Sequence, residues 1–123
     1  MLIGGNFTSA DGIGRNRIAR LNPDGRVDFG FNPGSAADGA VNAIVVRSDG
    51  KVLMGGAFTT VNGVTLNRVA RLNADGSLDS SFSPGTGADN TVSTVCLQTD
   101  GKALIGGAFL NVNGVARTRL ARL

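Results

Sequence analysis

The chain has 123 residues, 41% of them hydrophobic, which is enough to bury the core of one small domain and excludes a disordered tail. Twelve basic against nine acidic residues give a net charge of +3, and the cations are scattered, so no polybasic stripe exists for a nucleic-acid backbone or an anionic membrane surface. A single cysteine, Cys96, excludes a disulfide framework and a thiolate metal cluster, and no stretch is long or apolar enough to cross a membrane.

The chain opens on Met1-Leu2-Ile3-Gly4-Gly5-Asn6-Phe7, which lacks the charged start and apolar core of a signal peptide; an export signal is expected only on a longer parent chain. The Gly-Gly-x-Phe signature returns at Gly55-Gly56-Ala57-Phe58 and at Gly106-Gly107-Ala108-Phe109, each time 51 residues on. The same offset links Ala19-Arg20-Leu21 with Ala70-Arg71-Leu72 and Ala121-Arg122-Leu123, and Asp49-Gly50-Lys51 with Asp100-Gly101-Lys102. A period of about 40–50 residues is that of propeller blades.

One complete unit displays the elements in order. Residues 41–47 form an apolar first strand, Ser48-Asp49-Gly50-Lys51 a turn, and 51–58 an apolar second strand. Asp-Gly between two apolar runs predicts a type I′ hairpin, because both central residues then need positive φ. A third strand is expected over 67–73, where Arg68, Ala70 and Leu72 alternate with Val69 and Arg71. A second Asp-Gly turn, 74–77, leads to a polar fourth strand over 77–82. The polarity gradient from first to fourth strand is that of a four-stranded antiparallel blade running from axis to rim. Helix is excluded, because Gly or Asn-Gly interrupts every candidate segment. The repeated Gly-Gly would weaken a strand by about 0.5–1 kcal/mol per glycine, so its recurrence predicts closely approaching sheets.

The fold class is therefore all-β, a β-propeller fragment of about two and a half four-stranded blades: a partial blade over 1–33, a full blade over 41–84 and a partial blade over 92–123. The pattern Asp-Gly-Lys, Gly-Gly-x-Phe, Asn-Gly, Asn-Arg-x-Ala-Arg-Leu-Asn-x-Asp-Gly, then Asp79, Phe82 and Pro84-Gly85, resembles the delta-60 repeat. Asp11 in place of the Asn of Asn-Gly and Thr118 in place of Asn67 are its departures. That resemblance implies a propeller repeat of uncharacterised function from a large bacterial surface or secreted protein, hence an extracellular or cell-surface location, and brings no catalytic residues.

Ring closure with four to eight blades takes roughly 200 to 400 residues. The open ends are thus expected to expose apolar patches and unpaired edges, and to favour a protein partner or self-association through them. Nucleic-acid binding and membrane insertion are not expected.

Without His, Glu or Tyr most general acids and bases are missing, so no catalytic residue is assigned and no enzyme is expected. Asp28 and Asp79, one repeat apart, are expected to pair with Arg20 and Arg71. The clusters Asn73-x-Asp75-Gly76-x-x-Asp79 and Asn22-x-Asp24-Gly25-x-x-Asp28 gather oxygen ligands but lack the spacing of a calcium loop; no metal site and no cofactor are assigned. Phe7, Phe58, Phe109, Phe31 and Phe82 recur at strand ends and are expected in the core, as is Cys96, which takes the place of Val45 as a buried, inert thiol. Binding, if any, is expected on the rim of long loops, 8–15, 32–40, 59–66, 83–91 and 110–116. The leading expectation is a non-catalytic structural or protein-interaction module. The alternative is a small-ligand or Ca²⁺-binding propeller using that rim.

Overall fold

Glycine and asparagine decide where strands stop, and fourteen short strands run between them in the computed structural model, which describes residues 1–122. The first unit supplies β1 (Leu2–Gly4), β2 (Ser9–Ala10), β3 (Ile13–Gly14) and β4 (Ile18–Arg20). The second supplies β5 (Val41–Val46), β6 (Val52–Gly56), β7 (Thr60–Val61), β8 (Val64–Thr65) and β9 (Val69–Leu72). The third supplies β10 (Val92–Leu97), β11 (Ala103–Gly107), β12 (Asn111–Val112), β13 (Val115–Ala116) and β14 (Leu120–Arg122). All pairings are antiparallel, in the order β1-β4, β5-β6-β9 and β10-β11-β14 for the three blades. The register repeats with the sequence: Leu2 faces Arg20, Leu53 faces Arg71 and Leu104 faces Arg122.

The blades stack face to face over two apolar cores. The first core joins Ile18, Phe31, Val41, Met54, Phe58 and Leu72, and the second joins Leu53, Val69, Val92, Ile105, Phe109 and Ala121. Phe31, Phe58 and Phe109 are fully buried, as expected, whereas Phe7 and Phe82 are only half-buried. Close approach of the sheets explains the repeated glycine. A Cβ on Gly55 would lie 2.5 Å from Val92 Cγ1, and one on Gly4 2.9 Å from Val41 Cγ1.

Two turn types are distributed differently from the expectation. The Asp-Gly hairpins are not type I′: in Arg47–Lys51 only Gly50 has positive φ (+85°), with Gly50 N–H donating to Arg47 O and Arg47 N–H to Lys51 O. That is a turn closed by a glycine bulge, in which the Asp49 carboxylate accepts the Lys51 N–H at 3.1 Å. Both central residues have positive φ instead at Asp11-Gly12, Asn62-Gly63 and Asn113-Gly114. These join β2 to β3, β7 to β8 and β12 to β13, so each stretch read as a loop between second and third strands folds into its own two-residue hairpin.

The fourth segment is held more lightly than a full strand. It meets the third strand through the single bridges Leu72–Leu78 and Leu21–Val27. The ladder ends there because the chain turns at once: Phe82 N–H bonds back to Asp79 O, and Ser81 N–H to the Asp79 side chain. What fastens this segment is a charge cluster.

Candidate functional site

Arg71 stands on β9 opposite Leu53, and Lys51 immediately precedes β6, so the register brings both cations to the same edge of the sheet. They converge on Oδ2 of Asp79, with Arg71 Nε at 2.7 Å and Lys51 Nζ at 2.9 Å. Oδ1 accepts the Ser81 N–H at 3.0 Å and the Ser81 hydroxyl. Among the described residues Asp79 is the one buried charged side chain, 5% exposed. The Ser81 hydroxyl, then Lys51 and Arg71, hold its carboxyl far below the ordinary carboxylate range, overcoming the opposing effect of burial. Asp28 repeats the arrangement one unit earlier. Its carboxyl is lowered by the Gly30 N–H and by Arg20, whose Nε lies 2.8 Å away. The expected Arg20–Asp28 and Arg71–Asp79 pairs thus both form. Lys51 and Ser81 were not foreseen as partners, although the return of Lys at position 102 was a signal.

Each arginine also rests on a phenylalanine, Arg20 on Phe31 at 5.3 Å and Arg71 on Phe82 at 4.9 Å from ring centroid to guanidinium carbon. The stacked Arg20 then reaches the next unit, donating from Nη1 to Ala74 O at 2.8 Å, and Asn32 N–H donates to Asp75 O at 2.7 Å. The segment that carries Asp79 therefore plugs the groove between the first and second blades.

The corresponding groove between the second and third blades is open. It is a cleft of about 340 Å³ beside the tight turns, lined among others by Arg47, Arg71, Ser81, Phe82, Asp100 and Lys102. Of its three cations, Arg71 is paired with Asp79 and Arg47 with Asp49 at 3.4 Å, while Lys102 stands beside Asp100 in the lining. This cleft lies on the tight-turn rim; a second concavity, beside the long-loop residues Asn113 and Val115, is lined by Arg117 and Arg122.

On the long-loop rim the repeated carboxylates turn inward. Asp38 accepts the N–H groups of Thr59 and Thr60 at 2.7 and 3.0 Å and the Thr59 hydroxyl at 2.7 Å, and the Thr60 N–H bond leads in lowering its pKa to about 2. Asp89 does the same for Leu110 and Asn111. The bridges Ala37–Val61 and Ala88–Val112 complete the fastening of these loops to the hairpins. Among the described residues no three His, Cys, Asp or Glu side chains gather in a metal-binding group.

Cys96 is exposed, contrary to the expectation of a buried thiol. Val45, its counterpart, packs against the core shared with the following blade, but no following blade covers the described face of the third sheet. The same face carries Leu120, 64% exposed, where the equivalent Val69 is fully buried.

In comparison with known proteins, the family model described as a domain of unknown function (DUF5122) beta-propeller matches residues 1–31, 47–82 and 98–123. No curated protein and no solved structure gave a significant match.

Proposed function

The chain belongs to the DUF5122 β-propeller family, and from that premise we propose that it is a non-catalytic scaffold module of delta-60 type that works through protein contacts at its open blade face. The observation that carries this reading is the contrast between Leu120 at 64% exposure and Val69 at 0%. Side chains selected for burial between blades stand in solvent on the third sheet, and exposed apolar sheet faces with unpaired edges are sites of association.

The carboxylates support the non-catalytic part. Asp28, Asp38, Asp75, Asp79 and Asp89 are held ionised by hydrogen bonds to turns and neighbouring segments, which suits anchors better than proton carriers. The partner is a protein surface or a second copy of the chain, in keeping with an extracellular or cell-surface scaffold of a bacterium. Light scattering on the isolated chain across a concentration series tests this: a mass that rises with concentration while the circular dichroism stays β is expected. A folded monomer at all concentrations, with no binding of an apolar dye, would overturn it.

A further inference from the structure

We propose that Asn62 and Asn113 are sites of a covalent self-modification: each Asn-Gly turn closes to a succinimide with loss of ammonia and reopens in water as aspartate or isoaspartate, and the isoaspartate form releases the contact between neighbouring units.

In these two turns both backbone and side chain meet the needs of that reaction. The nitrogen of the residue after asparagine must reach the side-chain carbonyl carbon, and a Cβ on that residue hinders it. Asn62 and Asn113 are exposed and precede glycine, and a Cβ on Gly63 or Gly114 would meet nothing within 4 Å, so the ring has room to close. Among the described residues the Gly63 and Gly114 N–H groups find no acceptor, and neither do the amide nitrogens of Asn62 and Asn113, which are the leaving groups. The amide oxygens, by contrast, are engaged. Asn62 Oδ1 accepts the Ser35 N–H at 3.3 Å and the Ser35 hydroxyl at 3.2 Å, and Asn113 Oδ1 accepts the Thr86 N–H at 3.1 Å. These donors stabilise the negative charge that collects on the oxygen as the nitrogen adds.

The other asparagines each lack a requirement. Asn22 and Asn32 precede Pro23 and Pro33, whose nitrogens carry no proton. Asn16, Asn42, Asn67, Asn73 and Asn111 commit Nδ2 to hydrogen bonds of 2.9 to 3.1 Å. Asn6 and Asn90 are followed by the bulky Phe7 and Thr91.

The reaction balances with water as its one reagent. The Gly63 nitrogen gives its proton to solvent and bonds to Asn62 Cγ, the Cγ–Nδ2 bond breaks, and ammonia leaves. Water then opens the ring at the side-chain carbonyl to give aspartate or at the main-chain carbonyl to give isoaspartate. Asp11 holds the matching place in the first unit with φ of +48°, against +51° and +53° for Asn62 and Asn113, so the aspartate product keeps the turn. Isoaspartate adds a carbon to the main chain of a two-residue hairpin, which shifts the pairing of Val61 with Val64. That hairpin is what the preceding unit holds: Asn62 N–H donates to Ala36 O and Asn113 N–H to Gly87 O, each at 2.7 Å, and a Cβ on Gly34 would lie 2.6 Å from Asn62 Oδ1. The modification therefore loosens one unit from the next and adds negative charge to the long-loop rim.

The test is peptide mapping by mass spectrometry of the folded 123-residue chain during incubation at mildly alkaline pH. A gain of about 1 Da at Asn62 and Asn113 is expected, accumulating about tenfold or more faster than at Asn6 or Asn90, with labelling of the same two peptides by an isoaspartyl methyltransferase. The aged chain is expected to melt several degrees below the fresh one. The double variant Asn62→Asp, Asn113→Asp, which gains no mass at either turn, is expected to melt close to the fresh chain. No gain in the folded chain, a gain that appears only in urea, or one spread evenly over the asparagines overturns the proposal. A double variant that melts as low as the aged chain overturns its isoaspartate part, because charge alone then accounts for the loss.

Discussion

Asp79 and Phe58 show how few side chains hold a unit together. Phe58 is fully buried in the core between the first two blades, so Phe58→Ala leaves a cavity and is expected to cost about 3–5 kcal/mol, measured by urea unfolding. Its burial was expected from the repeated Gly-Gly-x-Phe signature, as was that of Phe109, whereas Phe7, the first copy, is only half-buried. The exposure of Cys96 was not legible in the same way. Burial depends on what lies across the sheet, and a local apolar pattern carries no information about whether the next layer is present. In the folded chain Cys96 is expected to react completely with a maleimide without prior unfolding; slow labelling that tracks global unfolding would show that the face is covered.

At the level of the strand, the glycines of β1, β6 and β11 are spacing devices. Gly55→Ala drives a methyl into Val92 and Val95 and is expected to destabilise by about 1–3 kcal/mol. Gly14→Ala, in β3, where nothing lies within 4 Å, is expected to change stability little, and thermal melts of the two variants side by side check the distinction. The first three strands of the full unit were readable because alternation and turn residues bound them to within about two residues, expected over 41–47, 51–58 and 67–73 and found at Val41–Val46, Val52–Gly56 and Val69–Leu72. Turn conformation was harder. Both Asp-Gly and Asn-Gly accept positive φ, but the Asp49 carboxylate binds the backbone two residues on and so favours a bulged turn, while Asn62 turns its side-chain oxygen to Ser35 and enters the left-handed region itself. The fourth segment was legible as chemistry more than as strand: its Asp position was marked by the repeat, but the early turn after Asp79 is a competition between ladder and side-chain hydrogen bonds.

Across the whole molecule, five carboxylates with lowered pKa values share one consequence for acid stability. Each is depressed below its unfolded value of about 3.9, so its contribution is complete above that pH and is lost as the pH falls through the folded value. Melting temperatures by circular dichroism are expected to be flat between about pH 7 and 5 and to fall steeply below about pH 4. A profile flat down to pH 2 would show that the turns stand without these bonds. The expectation of binding on the long-loop rim followed from loops carried on a rigid scaffold. The cleft was not legible in the sequence because it lies between Arg47 and Arg71 of the second unit and Asp100 and Lys102 of the third, which is a relation between units and not a property of any one.

The left-handed arginines bear on this relation. Arg17, Arg68 and Arg119 hold φ values of +67°, +67° and +65°, a conformation that side chains seldom adopt, and the first two use it to donate from Nη1 to Ala37 O and Ala88 O of the unit that follows, each at 3.1 Å. Both of these arginine clasps point forward along the chain, from a unit to its successor. An array fastened at a fixed period has a grammar: cutting out or inserting 51 residues at any matching pair of positions rejoins like with like and leaves each of these clasps its proper receiver. A change of any other length strands a donor without its carbonyl, so the chain can be lengthened or shortened freely by whole words but not by letters.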